Sequence, residues 1–174
     1  MWAAIEPVGG DSATGGSRRY AWTRQDHVLR EWVAGECAAR GLDLVTDRMG
    51  NQWAWWGDID GAVGRGQTGV AIGSHLDSVP AGGAYDGPLG VVSALAVVDI
   101  LKSRGFVPSR PIAVVNFVDE EGARFGIACA GSRVITGQLA ADRARSLKDS
   151  DGVTMGEAMT AAGRTGAAGG NERH

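Results

Sequence analysis

Thiols are scarce in this 174-residue chain: Cys37 and Cys129 form neither a C-x-x-C pair nor a dense pattern. That excludes a disulfide framework and a thiolate-bound structural zinc, and it suits a reducing compartment. Both cysteines are read as buried small hydrophobes. Long apolar runs are also missing. Nothing approaches the ~18 residues of a membrane span, and MWAAIEPVGGDSATGG has no basic segment followed by an apolar one. Charge of one sign is not in excess either. The net charge is −3 with both signs interspersed, which leaves no electrostatic footprint for nucleic acid or an anionic membrane. A cytoplasmic protein acting on a small polar or charged substrate is expected. Histidine is limited to His27, His75 and His174. Glycine is abundant, at 28 of 174 residues against a usual ~7%, so many tight turns must join the elements. The 44% apolar content is enough for one globular core.

From Thr23 the apolar residues Val28, Leu29, Trp32, Val33 and Cys37 recur at helical steps, with Thr23 and Asp26 resembling a capping box and Gly41 suited to the C′ position. Two short β-type runs, Leu42 to Thr46 and Asn51 to Trp56, flank a turn at 47–50, and Trp53, Trp55 and Trp56 are expected in the core. Val70 to Gly73 forms a strand leading into His75. Pro88 suits the first position of a buried helix that closes at Lys102-Ser103-Arg104-Gly105. Residues 111–118, PIAVVNFV, read as a central strand that delivers Asp119, Glu120 and Glu121 at its carboxyl end. Further helices are expected near Val134 to Gln138 and from Thr154 to Ala162, the latter with a Thr154/Glu157 capping box. Strand-helix-strand order over 70–118 predicts a parallel pair joined by a right-handed crossover, hence an α/β fold.

The chemistry concentrates in GSHLDSVPAGGAYDGPLG, residues 73–90, and in the glutamate pair. An imidazole with carboxylates and no thiolate is the donor set of a hydrolytic zinc, manganese or cobalt centre. His75 is a candidate metal ligand, and Asp77 can take its other ring N–H and fix its orientation. Asp86 either bridges two cations or caps the helix that opens at Pro88. Glu120 and Glu121 are either an ordinary acidic turn or a pair in which one carboxylate binds metal and its neighbour moves protons.

GSHLDSVP, AYDGPLG and VDEEGARFGIACAGSR together resemble the metallo-amidase branch of the M20 peptidase superfamily: N-carbamoyl-L-amino acid hydrolases, allantoate amidohydrolases and β-ureidopropionases. The resemblance extends over residues 2 to about 163, including TGGSRRYAW and GNQWAWWG. It implies a zinc-aminopeptidase-like catalytic domain, a mixed sheet flanked by helices. It also implies two divalent ions (Zn, Mn or Co), with His75 on one, Glu121 on the other and Asp86 between them. Glu120 would be the general base and Asp77 would orient His75. Removal of a carbamoyl or ureido group from a small molecule, releasing ammonia and carbon dioxide, is the implied reaction, and a metallopeptidase is the alternative. A non-proline cis peptide at Asp86-Gly87 would follow from the same resemblance.

The chain also departs from that family. Relatives are more than twice as long, form homodimers, and carry a lid and dimerisation domain and two further histidine ligands. His27 is read as a solvated surface residue, and His174 matches no motif. Residues 1–163 are therefore expected to be the amino-terminal part of the catalytic domain, with 164–174 a disordered tail. If Asp86 is shared, each metal keeps two protein donors against the usual three for catalytic zinc, so weak binding and an inactive fragment form the competing expectation.

Overall fold

The computed structural model describes residues 1–164. In chain order it contains α1 (Trp2–Ile5), α2 (Arg24–Ala39), β1 (Asp43–Thr46), β2 (Gln52–Trp56), α3 (Ile59–Gly64), β3 (Val70–His75), α4 (Pro88–Ser103), β4 (Ile112–Phe117), α5 (Ala130–Ile135), α6 (Ala141–Arg145) and α7 (Met155–Ala161). The four strands form one mixed sheet in the order β1-β2-β4-β3, with β3 and β4 parallel and the other two pairs antiparallel. The α/β architecture and the parallel pair agree with the sequence reading. The tail expectation for 164–174 falls, apart from Arg164, outside the described residues.

The β1–β2 hairpin turns as its residues dictate. One Asp47 carboxylate oxygen accepts the backbone N–H groups of Met49, Gly50 and Asn51 at 2.9–3.0 Å, an aspartate turn in which the side chain satisfies three successive amides. Alternation along β2 then divides its side chains. Ala54 and Trp56 join a cluster with Leu29, Val33 and Cys37 of α2 and Val91, Leu95 and Val98 of α4. Trp53 and Trp55 lie on the opposite face. They stack 6.2 Å apart, with Phe117 edge-on to Trp53 at 6.0 Å. All three tryptophans are half-buried; Trp56 packs against the core as expected, whereas period two carries 53 and 55 away from the helical layer.

Helix α4 begins with Pro88 and buries Val91, Ala94, Leu95 and Val98, whereas Leu89, Val97 and Ile100 stay exposed, so it is amphipathic rather than fully buried. A second cluster, comprising Trp22, Met49, Val118, Phe125, Ala130, Leu147, Met155 and Met159, closes the end of the sheet at which β4 terminates. Helix α7 has the expected capping box. Thr154 Oγ1 accepts the Glu157 N–H at 3.1 Å, and Glu157 Oε2 accepts the Thr154 N–H at 2.8 Å.

Three local expectations are corrected. Thr23 makes no side-chain cap; its hydroxyl donates to the Tyr20 carbonyl, and Asp26 reaches back to the Trp22 N–H and pairs with Arg30. The helix expected near 134–138 begins earlier, at Ala130, because tertiary hydrogen bonds fix the preceding residue. Helices α3 and α6 form where no helix was foreseen. The first is started by Asp58, whose carboxylate accepts the Gly61 N–H at 2.8 Å. No described helix is long and apolar enough to cross a membrane.

Candidate metal centre

Both parallel strands end at the same edge of the sheet, where sites in α/β folds gather. His75 is the last residue of β3, and Phe117 of β4 is its register partner. Beyond them, Leu76 turns into the core at 1% exposure while His75 and Asp77 turn together toward the strand end. One ligand atom from each of His75, Asp86 and Glu121 lies within 4.8 Å of the others. The sequence thus names three residues that the fold brings together across 46 positions of chain.

Asp77 joins the two sides of this cluster. His75 Nδ1 lies 3.0 Å from the Asp77 carbonyl and 3.5 Å from its carboxylate, which leaves Nε2 as the ring nitrogen turned toward the glutamates. The two Asp77 carboxylate oxygens accept the backbone N–H groups of Glu120 (3.2 Å) and Glu121 (3.1 Å). The ring nitrogen thus bonds the Asp77 carbonyl, with the carboxylate expected to take it lying farther off at 3.5 Å, and the grip on the glutamate backbone is an addition that sequence spacing could not reveal. Glu120 points Oε2 at His75 Nε2, 3.3 Å away, with its side chain 34% exposed.

The electrostatics are those of a site with surplus negative charge. Burial opposes a charged imidazole at His75, but the hydrogen bond and charge of Asp77, with Glu120, outweigh it and raise the pKa to about 9. Burial also raises Glu121, as do the charges of Asp86, Asp77 and Glu120, while His75 pulls the other way. Carboxylates crowded around one imidazole, with no thiolate among them, suit a hard or borderline divalent cation, which would neutralise the repulsion. The residues present therefore fit the cation that the sequence pattern implies.

Asp86 does not cap α4. The N-cap is Gly87, with φ +85° and ψ −67°, and no side chain caps the helix, so the exposed Asp86 carboxylate is free for the cluster. Among the described residues no peptide bond is cis, which corrects the expectation for Asp86-Gly87. The turn is made by the positive φ of Gly87 instead. That position also needs glycine for space, since a Cβ there would lie 2.5 Å from His75 Cε1.

Three contributors escaped the sequence reading. Asn51 is fully buried; its Oδ1 accepts the Val118 N–H at 3.0 Å and its amide donates to Asp47 at 2.7 Å, tying the hairpin turn to the end of β4. Asp119 is 1% exposed at φ +49°, with Oδ2 unpartnered. Burial, then the charges of Asp77 and Asp26, raise its pKa to about 7 against the pull of Arg124. Cys129, expected as a buried hydrophobe, is half-buried, and its thiol reaches Glu120 Oε1 at 3.3 Å. Cys37 is buried as expected. Much of GARFGIACAGSR is scaffold: Arg124 donates to the Ala21 carbonyl and to Asp149, and Phe125 enters the second core cluster. His27 lies on α2 beside Glu31, exposed and away from the cluster.

Comparison with known proteins follows the same lines. The family described as Peptidase family M28 matches residues 58–171. An N-carbamoyl-L-amino acid amidohydrolase of Geobacillus stearothermophilus is 36% identical over 171 residues, 94% of this chain and 39% of that protein. The allantoate amidohydrolase of Bacillus subtilis is 32% identical over 154 residues, 88% of this chain and 36% of that protein. A crystal structure of a hydantoinase/carbamoylase family amidase from Burkholderia ambifaria superposes with a TM-score of 0.86 at 38% identity, covering 93% of this chain and 39% of that one. The chain thus spans less than two fifths of the length of these relatives. The amidases read from the motifs are the ones found, and the matching family carries the M28 rather than the M20 peptidase description.

Proposed function

Because the chain belongs to Peptidase family M28 and is also similar to N-carbamoyl-L-amino acid and allantoate amidohydrolases, we propose that it supplies one side of a two-metal hydrolytic centre acting on small linear amides. The reaction is removal of a carbamoyl or ureido group, as from an N-carbamoyl-L-amino acid or allantoate, with release of ammonia and carbon dioxide. The observation that carries this reading is the convergence of His75, Asp86 and Glu121 with Glu120 against the imidazole.

In this assignment His75 and Asp86 would hold one divalent ion (zinc, manganese or cobalt), and Asp86 and Glu121 would hold the second. When bound, the ions supply Lewis acidity that polarises the substrate carbonyl and makes water a nucleophile near neutral pH. Asp77 fixes the imidazole so that Nε2 faces the site, and through the two backbone N–H groups it sets where both glutamates stand. Glu120 takes a proton from the attacking water and returns it to the leaving nitrogen, work suited to a half-exposed carboxylate. A cytoplasmic location and assembly into a homodimer belong to the same proposal.

A second reading is favoured by the donor count. With Asp86 shared, each ion has two protein donors here, one fewer than usual for catalytic zinc, which points to weak metal binding with little turnover. Titration with Zn²⁺ or Mn²⁺, followed by ammonia release from N-carbamoyl amino acids and allantoate, separates the two. The proposal expects turnover that disappears in Glu120→Gln while metal uptake persists. Metal uptake without turnover supports the second reading, and turnover unchanged by Glu120→Gln overturns the role given to Glu120.

A further inference from the structure

Glu120 is held at every polar handle. Asp77 takes its N–H, the Cys129 N–H takes its carbonyl at 2.5 Å, Oε2 faces His75, and the Cys129 thiol is the donor on Oε1. Residue 129 reaches this place at a conformational cost. The N–H groups of Cys129, Ala130 and Gly131 donate in succession to the carbonyls of Glu120, Asp119 and Val118. This ladder forces Cys129 to φ +60°, ψ +30°, a conformation that β-carbon-bearing residues rarely adopt and glycine adopts freely. A side chain is therefore present where backbone geometry alone would favour none. That side chain ends 3.3 Å from a carboxylate oxygen.

We propose that Cys129 is a positioning residue for Glu120, its thiol holding Oε1 so that Oε2 stays turned toward His75; the inference rests on the reading of Glu120 as the proton-transferring group. A thiol is a weak donor. It fixes the rotamer of the carboxylate with less withdrawal of electron density than a hydroxyl or an amide would cause. The hydrogen bond with Glu120, with burial second, raises the pKa of the Cys129 thiol, which keeps the proton on sulfur where it can be donated. Cys37 has no part in this; it is buried within α2 in the first core cluster.

Raman spectroscopy of the S–H stretch tests the contact directly in the full chain, without metal or substrate. The band lost in Cys129→Ala identifies Cys129, and it is expected to shift in Glu120→Ala while the Cys37 band stays in place. Circular dichroism establishes that each variant is folded, and Glu120→Gln, which keeps the size of the side chain but weakens the acceptor, gives a smaller shift in the same direction. A Cys129 band unmoved by both Glu120 variants overturns the proposal. With metal and an N-carbamoyl amino acid, Cys129→Ala lowers kcat about ten-fold, the factor equivalent to ~1.4 kcal/mol, with KM and the metal-titration midpoint unchanged. Cys129→Ser restores most of the loss. An effect confined to KM, or a serine variant no better than alanine, also overturns it. Absence of turnover in the unsubstituted chain counts against the hydrolase reading alone, and the Raman result then decides this one.

Discussion

Replacing Asp119 by Asn should move the balance of stability toward the variant as pH rises. Asp119 is 1% exposed, its Oδ2 has no partner, and its folded-state pKa is about 7 against an ordinary 3.8. The folded state therefore holds this proton more tightly than the unfolded chain does. The associated stability is fully present below about 3.8 and is lost as pH climbs through 7. At about 1.36 kcal/mol per pH unit, a rise of about three units corresponds to at most about 4 kcal/mol, a large part of the 5–15 kcal/mol typical of a domain. Asparagine removes the charge and tolerates the positive φ at 119 as well as aspartate does. Its amide adds a buried donor that costs about 1–3 kcal/mol at every pH. The informative quantity is therefore the difference between the two proteins rather than either stability alone. Urea unfolding in chelator at half-unit steps from pH 4 to 8.5 should show that difference moving in favour of Asp119→Asn up to about pH 7 and then levelling. A difference that stays constant with pH would refute the argument that Asp119 is buried without a compensating partner.

The remaining predictions concern the scaffold of the site. Asp77→Ala frees the Glu120 and Glu121 N–H groups and removes the carboxylate 3.5 Å from His75 Nδ1, while the ring keeps its bond to the carbonyl of residue 77. It should weaken Zn²⁺ uptake by about 10–100-fold, the usual effect of losing a partner that orients ligands; calorimetric titration within two-fold of the parent would contradict this. Asn51→Ala leaves the buried Val118 N–H without an acceptor, and chemical unfolding should register a loss of about 3 kcal/mol. A loss below about 1 kcal/mol would mean that water replaces the side chain. Gly87→Ala places a methyl 2.6 Å from His75 Nδ1 at a φ of +85°. His75 should therefore move and Zn²⁺ affinity should fall, with the displaced ring visible as a shifted imidazole resonance by NMR.

Much of the architecture was legible because the informative signals are local. The run at 111–118 ends in three acids, the run at 70–73 ends in an imidazole, and the 47–50 turn and the Thr154/Glu157 box announce themselves in a few residues. What escaped depends on contacts between residues distant in sequence. The Asn51 bond to Val118 spans 67 positions, and the two bonds from the glutamates to Asp77 span 43 and 44. No window of sequence contains both ends of such a bond. Size and type suggest the core for Trp53 and Trp55, but which face of a strand is covered depends on where α2 and α4 pack. Asp86 was ambiguous between cap and ligand until the backbone gave the cap to Gly87.

Asp77 has a consequence for the spacing of the two ions. Its carboxylate fastens the backbone after β4 while the imidazole beside it belongs to β3, and the two strands are adjacent and parallel. The span between His75 and Glu121 is thus tied to interstrand spacing, ~4.7–4.9 Å in any sheet, rather than to the wandering of two loops. On the proposed assignment, in which His75 and Glu121 serve different ions, that span works as a caliper for the distance between the two ions. The separation of the pair then resides in the backbone, and exchanging one carboxylate for another at 86 or 121 should change how tightly the ions bind more than how far apart they stand.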